Sequence, residues 1–304
     1  MRKNITARRV VITSFLVDLS DVILNVTAAI LSGSVVVLTE AMQGAADLLT
    51  AGLLWMGVSR SKRRADRRHR FGYGKELFFW ILMAGISMFF LTAGVSFYLG
   101  LQRFLHPRPI HNLEFAYLVL AIGVVTNAYA LRLSLHRLHI NRHTRVEDLW
   151  SRVGGSSFVE TKATTILDLM GTTAAALGLV ALVVYGVTGD LRFDGIGAMV
   201  VGLVSGIFAI LLILEVKEFI IGRSAPQELE ERIRKVAESV EGIKKVLDLR
   251  TMQMGSDRVL VNMEVHINRN LNAKQIEKLM DDLKKRVKTS VPEVQHIQVE
   301  IETP

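Results

Sequence analysis

Long apolar runs separated by short charged connections fill the chain as far as Ile221. Six runs reach the ~20 residues that a helix needs to cross a hydrocarbon core. They cover 10–32, 34–58, 77–104, 112–136, 160–187 and 194–221. Only Ser-Gly-Ser separates the first two, which predicts a tight antiparallel pair. The sequence HPRPIHN, with two helix-stopping prolines, ends the third run, and TGDLRFD joins the last two. Beyond Gly222 the pattern changes. SAPQELEERIRKVAESV spaces Leu229, Ile233, Val236 and Val240 as one helical face, with Ser224 as a candidate cap and Pro226 in the first turn. KVLDLRTMQM, GSD and RVLVNMEVHI predict a β-hairpin, in which Val259, Val261, Met263, Val265 and Ile267 alternate. NAKQIEKLMDDLKKRV is a second helix, opened by an Asn272–Gln275 capping box, and HIQVEIE is a last strand. The expected fold class is thus an all-α six-helix transmembrane domain, residues 1–222, plus an α+β domain in the order α-β-β-α-β, residues 223–304. A domain that small has a marginal core, and dimerisation through it is a natural remedy.

Composition and charge sharpen this picture. Half of the 304 residues are hydrophobic, yet 22% are charged, and the charges gather between the apolar runs. There is no cysteine, which excludes disulfides and thiolate metal sites. The net charge of +8 does not indicate nucleic-acid binding, because the basic residues follow topology. The N-terminal tail carries Arg2, Lys3, Arg8 and Arg9, and the second connection, RSKRRADRRHRFGYGK, carries eight basic residues. The fourth connection has Arg137, Arg142, Arg145 and Arg152; the first has none, the third Arg103 and Arg108, the fifth Arg192. This alternation predicts that both termini are cytoplasmic. No cleavage site follows the basic N-terminus, so the first run is expected to remain as a span.

Ionisable groups inside a bilayer cost about 2.5–3.5 kcal/mol each on insertion scales, so they are functional candidates. Three runs carry them in helical phase: Asp18, Asp21 and Asn25; Glu40, Gln43 and Asp47; Glu160, Thr164 and Asp168. Each set falls on one helix face, and three such faces can line one wet, oxygen-rich cavity. Asp47 and Asp168 lie deepest. Glu40 and Glu160 have a second reading, as residues at headgroup level, and Asp18 and Asp21 as structural hydrogen-bond partners. His136, His139 and His143, in the fourth connection, read either as cation-capturing groups or as headgroup-level residues. No nucleophile–base pair, phosphate-cradling loop or haem ligand is present, so an enzyme is not expected.

At these residues the sequence resembles the cation diffusion facilitators. That family carries His-or-Asp-x-x-x-Asp in its second and fifth spans; here the spacing is kept as Gln43-x-x-x-Asp47 and Thr164-x-x-x-Asp168. LSGSVVVLTEAMQGAADLL resembles the family's entry to span two, with Glu40 where an Asp is usual. HRFGYGKE, FDGIGAMVVG, GRSAPQELEERIR and VLDLRT resemble further stretches in order, and FGYGKELFFW with GRSAP is similar to the zinc transporter 9-like branch. The resemblance implies a homodimeric cation/proton antiporter that exports divalent metal by alternating access, with the lipid bilayer and protons as its other partners and no cofactor. It implies a metal site of Asp47, Asp168, Gln43 and Thr164, with Glu40, Glu160, Asp18 and Asp21 as possible accessory residues. It also implies a metallochaperone-like cytoplasmic domain. In that domain Met263 and Glu300 fall near positions where a ligand is expected, and His266 and His296 read as surface residues; no metal site is assigned there. Gln43 and Thr164 depart from the family pattern. An all-oxygen set favours Mn²⁺ or Mg²⁺ over zinc, which prefers imidazole nitrogen, while the family favours zinc. The alternative is a non-transporting membrane sensor with a degenerate site.

Overall fold

A computed structural model describes residues 7–137, 159–268 and 271–302, with side chains in α1 described from Leu19 and in the fifth apolar helix from Ala163. The described residues form α1 (Ala7–Ser32), α2 (Val35–Ser61), α3 (Glu76–Met88), α4 (Val95–Leu105), α5 (Leu113–Arg137), α6 (Val159–Thr188) and α7 (Arg192–Ile221). Then follow α8 (Gln227–Glu238), β1 (Ile243–Gly255), β2 (Arg258–Ile267), α9 (Ala273–Ser290) and β3 (Val294–Ile301). The chain divides into two compact units. One comprises Met1–Met56, Trp80–Leu149 and Glu160–Glu215; the other comprises Gly57–Phe79, Trp150–Val159 and Val216–Pro304.

Among the described residues, four helical stretches are long and apolar enough to cross a membrane: Glu76–Leu105, Leu113–Leu135, Ala163–Thr188 and Arg192–Ile221. The first of these is not one regular helix. Between α3 and α4 the turns widen into a π-helix over Phe89–Gly94, with Thr92 and Ala93 buried. This π segment lies against α7 at Gly202 and Gly206. The α4–α7 contact depends on absent side chains: an ideal Cβ on Gly195 would stand 2.5 Å from the Phe104 nitrogen, and one on Gly202 2.7 Å from the Phe97 nitrogen. Small residues let helix backbones approach this closely where lipid supplies no hydrophobic driving force between helices.

The start of α2 is fixed by side chains from three other segments. Ser34 caps the helix, its Oγ accepting from the Val37 amide at 3.3 Å. Asp194, in the first turn of α7, accepts from Ser34 Oγ (2.6 Å), Val35 N (2.9 Å), Val36 N (3.1 Å) and Arg103 Nε (2.8 Å). Arg103 of α4 also donates to the Gly33 carbonyl at 2.7 Å. A carboxylate at a helix N-terminus is favoured by the exposed amides and the helix dipole.

The second unit holds a three-stranded sheet in the order β1-β2-β3, antiparallel between β1 and β2 and parallel between β2 and β3. The inward residues Val259, Val261, Met263, Val265 and Ile267 share one core with Ile233 of α8 and Leu283 of α9. Both helices therefore cover the same face, as the sequence pattern implies. Each such fully buried aliphatic side chain contributes about 1.5–3 kcal/mol. The capping box of α9 is present, with Gln275 N donating to Asn272 Oδ1 at 3.0 Å and Asn272 N to Gln275 Oε1 at 2.8 Å. Ser224 does not cap α8. Pro226 occupies that position without a side-chain bond, and the linker instead runs beside β1, with Ala225 N donating to Thr251 Oγ1 at 2.8 Å and Gln253 N to the Arg223 carbonyl at 2.9 Å.

The FGYGK stretch belongs to this unit. An ideal Cβ on Gly74 would lie 2.1 Å from the Met254 carbonyl oxygen, so only glycine allows the backbone to rest on the end of β1. Phe71 meets His296 edge-on at 5.1 Å between ring centroids. Upstream, Asp66 organises the basic loop, accepting from Tyr73 Oη (2.6 Å), His69 N (2.7 Å) and Arg68 N (2.9 Å). These bonds, the Tyr73 hydroxyl foremost, hold the Asp66 carboxyl below the usual carboxylate range.

Candidate functional site

The polar faces expected from the sequence lie on α1, α2 and α6. Helices α2 and α6 pack antiparallel, and two contacts fix their register. At one level, an ideal Cβ on Gly178 of α6 would stand 3.0 Å from Val36 Cγ1 and 3.8 Å from Glu40 Oε1. About two turns further along, Ala46 of α2 shares an apolar cluster with Leu167 and Met170 of α6. Asp47 follows Ala46, and Asp168 lies between Leu167 and Met170. The two carboxylates therefore sit at the same depth. Helix α1 joins them through Val22, which an ideal Cβ on Gly44 would approach to 2.8 Å. Asp21 precedes Val22, and both Asp21 and Asp47 act electrostatically on Glu40.

Within this register the side chains have distinct partners. Gln43 is buried and donates from Nε2 to Asp47 Oδ1 at 3.2 Å. Its own Oε1 is buried with no hydrogen-bond partner, and so is Glu40 Oε1. Asp47, Thr164 and Asp168 are half-buried. Asn25 donates to the Asp21 carbonyl at 2.9 Å, a bond within its own helix. Asp18 and Glu160 fall on α1 and α6 but outside the residues whose side chains are described, as does His136; His139 and His143 lie outside the described residues altogether. Among the described residues, no three His, Asp or Glu side chains converge as a metal-holding group. In the second unit Met263 is a core residue, 1% exposed, and has no access to an ion.

Sequence reasoning missed one participant. Ser134 of α5 is buried and donates its hydroxyl to Asp168 Oδ2. Its signal was present in the sequence. Gly123, Asn127 and Ser134 fall on one face of an otherwise apolar helix, and Asn127 lies against α6, its Oδ1 2.8 Å from an ideal Cβ on Gly171. Thus α5 carries no acid on this face but supplies the donor that orients one.

A buried glutamate and glutamine and two half-buried aspartates on long apolar helices, joined in one chain to a small α+β domain, mark an integral membrane protein. The chain belongs to the cation efflux family, the cation diffusion facilitators: the model of the cation efflux transmembrane domain matches residues 11–218, and that of the cation efflux protein cytoplasmic domain matches residues 225–304. This is a family of transporters, not of enzymes. The chain is 29% identical over 84% of its length to the proton-coupled zinc antiporter SLC30A9, mitochondrial, of Xenopus laevis, covering 46% of that protein. It is 28% identical to the human protein of the same name, over 78% of this chain and 42% of that one. It is 26% identical to metal tolerance protein C4 of Arabidopsis thaliana, over 78% of this chain and 52% of the relative. The chain thus spans about half the length of the curated relatives it matches. Among solved structures, MamM-CTD 215-293 aligns with 26% of the chain and 98% of its own length, at 19% identity and a TM-score of 0.25.

Proposed function

We propose that this protein is a divalent cation/proton antiporter that exports metal from the cytoplasm by alternating access. In this reading six helices span the bilayer, both termini are cytoplasmic, and residues 223–304 form a cytoplasmic domain through which two copies associate. The observation that carries the reading is the pairing of two oriented carboxylates at one level of the α2–α6 pair: Asp47 of α2, held by Gln43 of the same helix, and Asp168 of α6, held by Ser134 of α5. Asp47, Asp168, Gln43 and Thr164 are the ligand set. Metal ligation needs deprotonated carboxylates, so cation and proton compete for the same oxygens, and a proton gradient can expel the metal.

Gln43 has a specific part in this cycle. Its amide nitrogen donates to Asp47 and so orients that carboxylate. Half a turn of the amide presents Oε1, the atom without a partner, to an ion on Asp47. The cation is zinc in first place, in line with the zinc antiporters among the relatives, and Mn²⁺ in second, in line with the oxygen-only ligand set. Flux into proteoliposomes under a proton gradient, with Zn²⁺, Mn²⁺, Fe²⁺, Co²⁺ and Mg²⁺ in competition, ranks the ions and reports proton movement. Transport without proton movement overturns the antiport. The rival reading is a non-transporting sensor, favoured by the lack of three converging His, Asp or Glu groups among the described residues. Flux that is equal in wild type, Asp47→Ala and Asp168→Ala would remove the proposed site.

A further inference from the structure

We propose that Glu40 is a second cation station, one helical turn along α2 from Gln43 on the side of the α1–α2 connection, which takes a hard divalent cation. The inference rests on the antiporter reading and adds a step to it: the ion moves between the Asp47–Asp168 pair and Glu40 on its way past the α2 N-terminus. Three observations carry it. Glu40 is 6% exposed, and its Oε1 is buried with no hydrogen-bond partner. Buried polar atoms in folded proteins are nearly always paired, so such an oxygen needs a reason. Three residues on, at the spacing of one helix face, Gln43 Oε1 is buried and unpartnered as well. Across from Glu40, α6 presents Gly178, so no α6 side chain at that position supplies a donor to Oε1; an ideal Cβ there would stand 3.8 Å from Oε1 and 3.0 Å from Val36 Cγ1.

The surrounding charge has the right sign. Asp21 of α1 and Asp47 are the charged groups that face Glu40, and no cationic side chain answers them among the described residues. Glu40 supplies a carboxylate, and Gln43 Oε1 a carbonyl oxygen while the amide nitrogen stays on Asp47; when the amide turns to an ion on Asp47, water takes its place at Glu40. With water completing the shell, this is an oxygen set suited to Mn²⁺ or Mg²⁺ rather than to a nitrogen-seeking ion. The midplane set is the shared stop; Glu40 is the stop that only this side of the membrane domain offers.

Mn²⁺ titration of the purified full-length protein in detergent, read by electron paramagnetic resonance, tests the station by difference. Glu40→Gln keeps the shape of the side chain and removes its charge, and is expected to bind one equivalent fewer than wild type. Gly178→Ser places a hydroxyl donor beside Glu40 Oε1, with Val36 Cγ1 giving way to a Cβ that would meet it at 3.0 Å, and is expected to weaken one equivalent about tenfold. Asp47→Ala/Asp168→Ala is expected to lose a different equivalent and to keep the one that Glu40→Gln removes. If Glu40→Gln and Gly178→Ser both bind as wild type does, Glu40 holds no cation and the station is wrong. If Glu40→Gln loses an equivalent and Asp47→Ala/Asp168→Ala loses none, the station stands and the midplane site falls.

Discussion

Two stretches of α2 bury carboxylates in opposite ways. At the start of the helix, Asp194 is wholly buried, accepts four hydrogen bonds and forms an ion pair with Arg103 at 2.8 Å. Two turns further in, Glu40 and Gln43 are nearly as buried, yet each keeps an oxygen with no partner. Desolvation penalises both regions alike, so the difference lies in compensation. A saturated carboxylate is held in one geometry and has no capacity left for an ion; an unsaturated one is costly until something charged arrives. Burial alone therefore says nothing about function inside a membrane domain. What separates the strut from the site is whether the lone pairs are already spoken for.

The largest expected effect lies at the open end of this contrast. Asp47→Ala and Asp168→Ala should each reduce proton-coupled cation flux to the level of empty liposomes, while melting in detergent changes little, because each carboxylate is only half-buried. A large drop in melting temperature for both would place them with Asp194 as struts. Next, Asp194→Ala should destabilise the protein by about 3–5 kcal/mol, since it leaves Arg103 buried without its partner. Chemical unfolding in detergent measures this, and cation binding per folded molecule should be unchanged. A smaller effect is expected at Ser134. Losing a hydrogen bond to a charged group costs about 1.5 kcal/mol, so Ser134→Ala should raise the apparent KM for the cation by up to about tenfold and lower the unfolding free energy by no more than that same amount.

The smallest effect belongs to a carboxylate in water. Asp66 has three hydrogen bonds, like a strut, but is exposed, and its folded value lies below the usual one. Its contribution to the loop is fully present above the unfolded value, near pH 4, and is lost as the pH falls through the depressed folded value. The Tyr73 ring resonances should report loosening only in that acidic window, and Asp66→Asn should abolish the dependence. Loosening at neutral pH would show that another group governs the loop.

Much of this was legible in the sequence. Period and length gave the long helices and the α-β-β-α-β order, since an apolar face must be buried whatever its partner. The phase of Glu40, Gln43 and Asp47 on α2, and of Thr164 and Asp168 on α6, followed from 3.6 residues per turn. The Asn272 box was legible because both of its bonds are local. Other features were not. Asp194 looked like part of a polar connection, because its partners are Ser34 and Arg103, 160 and 91 residues away. The π-helix over Phe89–Gly94 has no local signature, as it accommodates contact with α7. Ser224 failed as a cap because the linker found better partners along β1. Gly74 was seen as part of a motif, and only the nearness of Met254 explains why it is glycine.

The sequence by itself determined which residues stay dry, which helix faces are polar, and that acids sit where lipid alone would not keep them. These follow from hydrophobic burial and helical periodicity, which are properties of one segment at a time. Only the tertiary structure decided which buried oxygens are satisfied. Hydrogen-bond saturation depends on donors brought from distant parts of the chain, and no local pattern can count them.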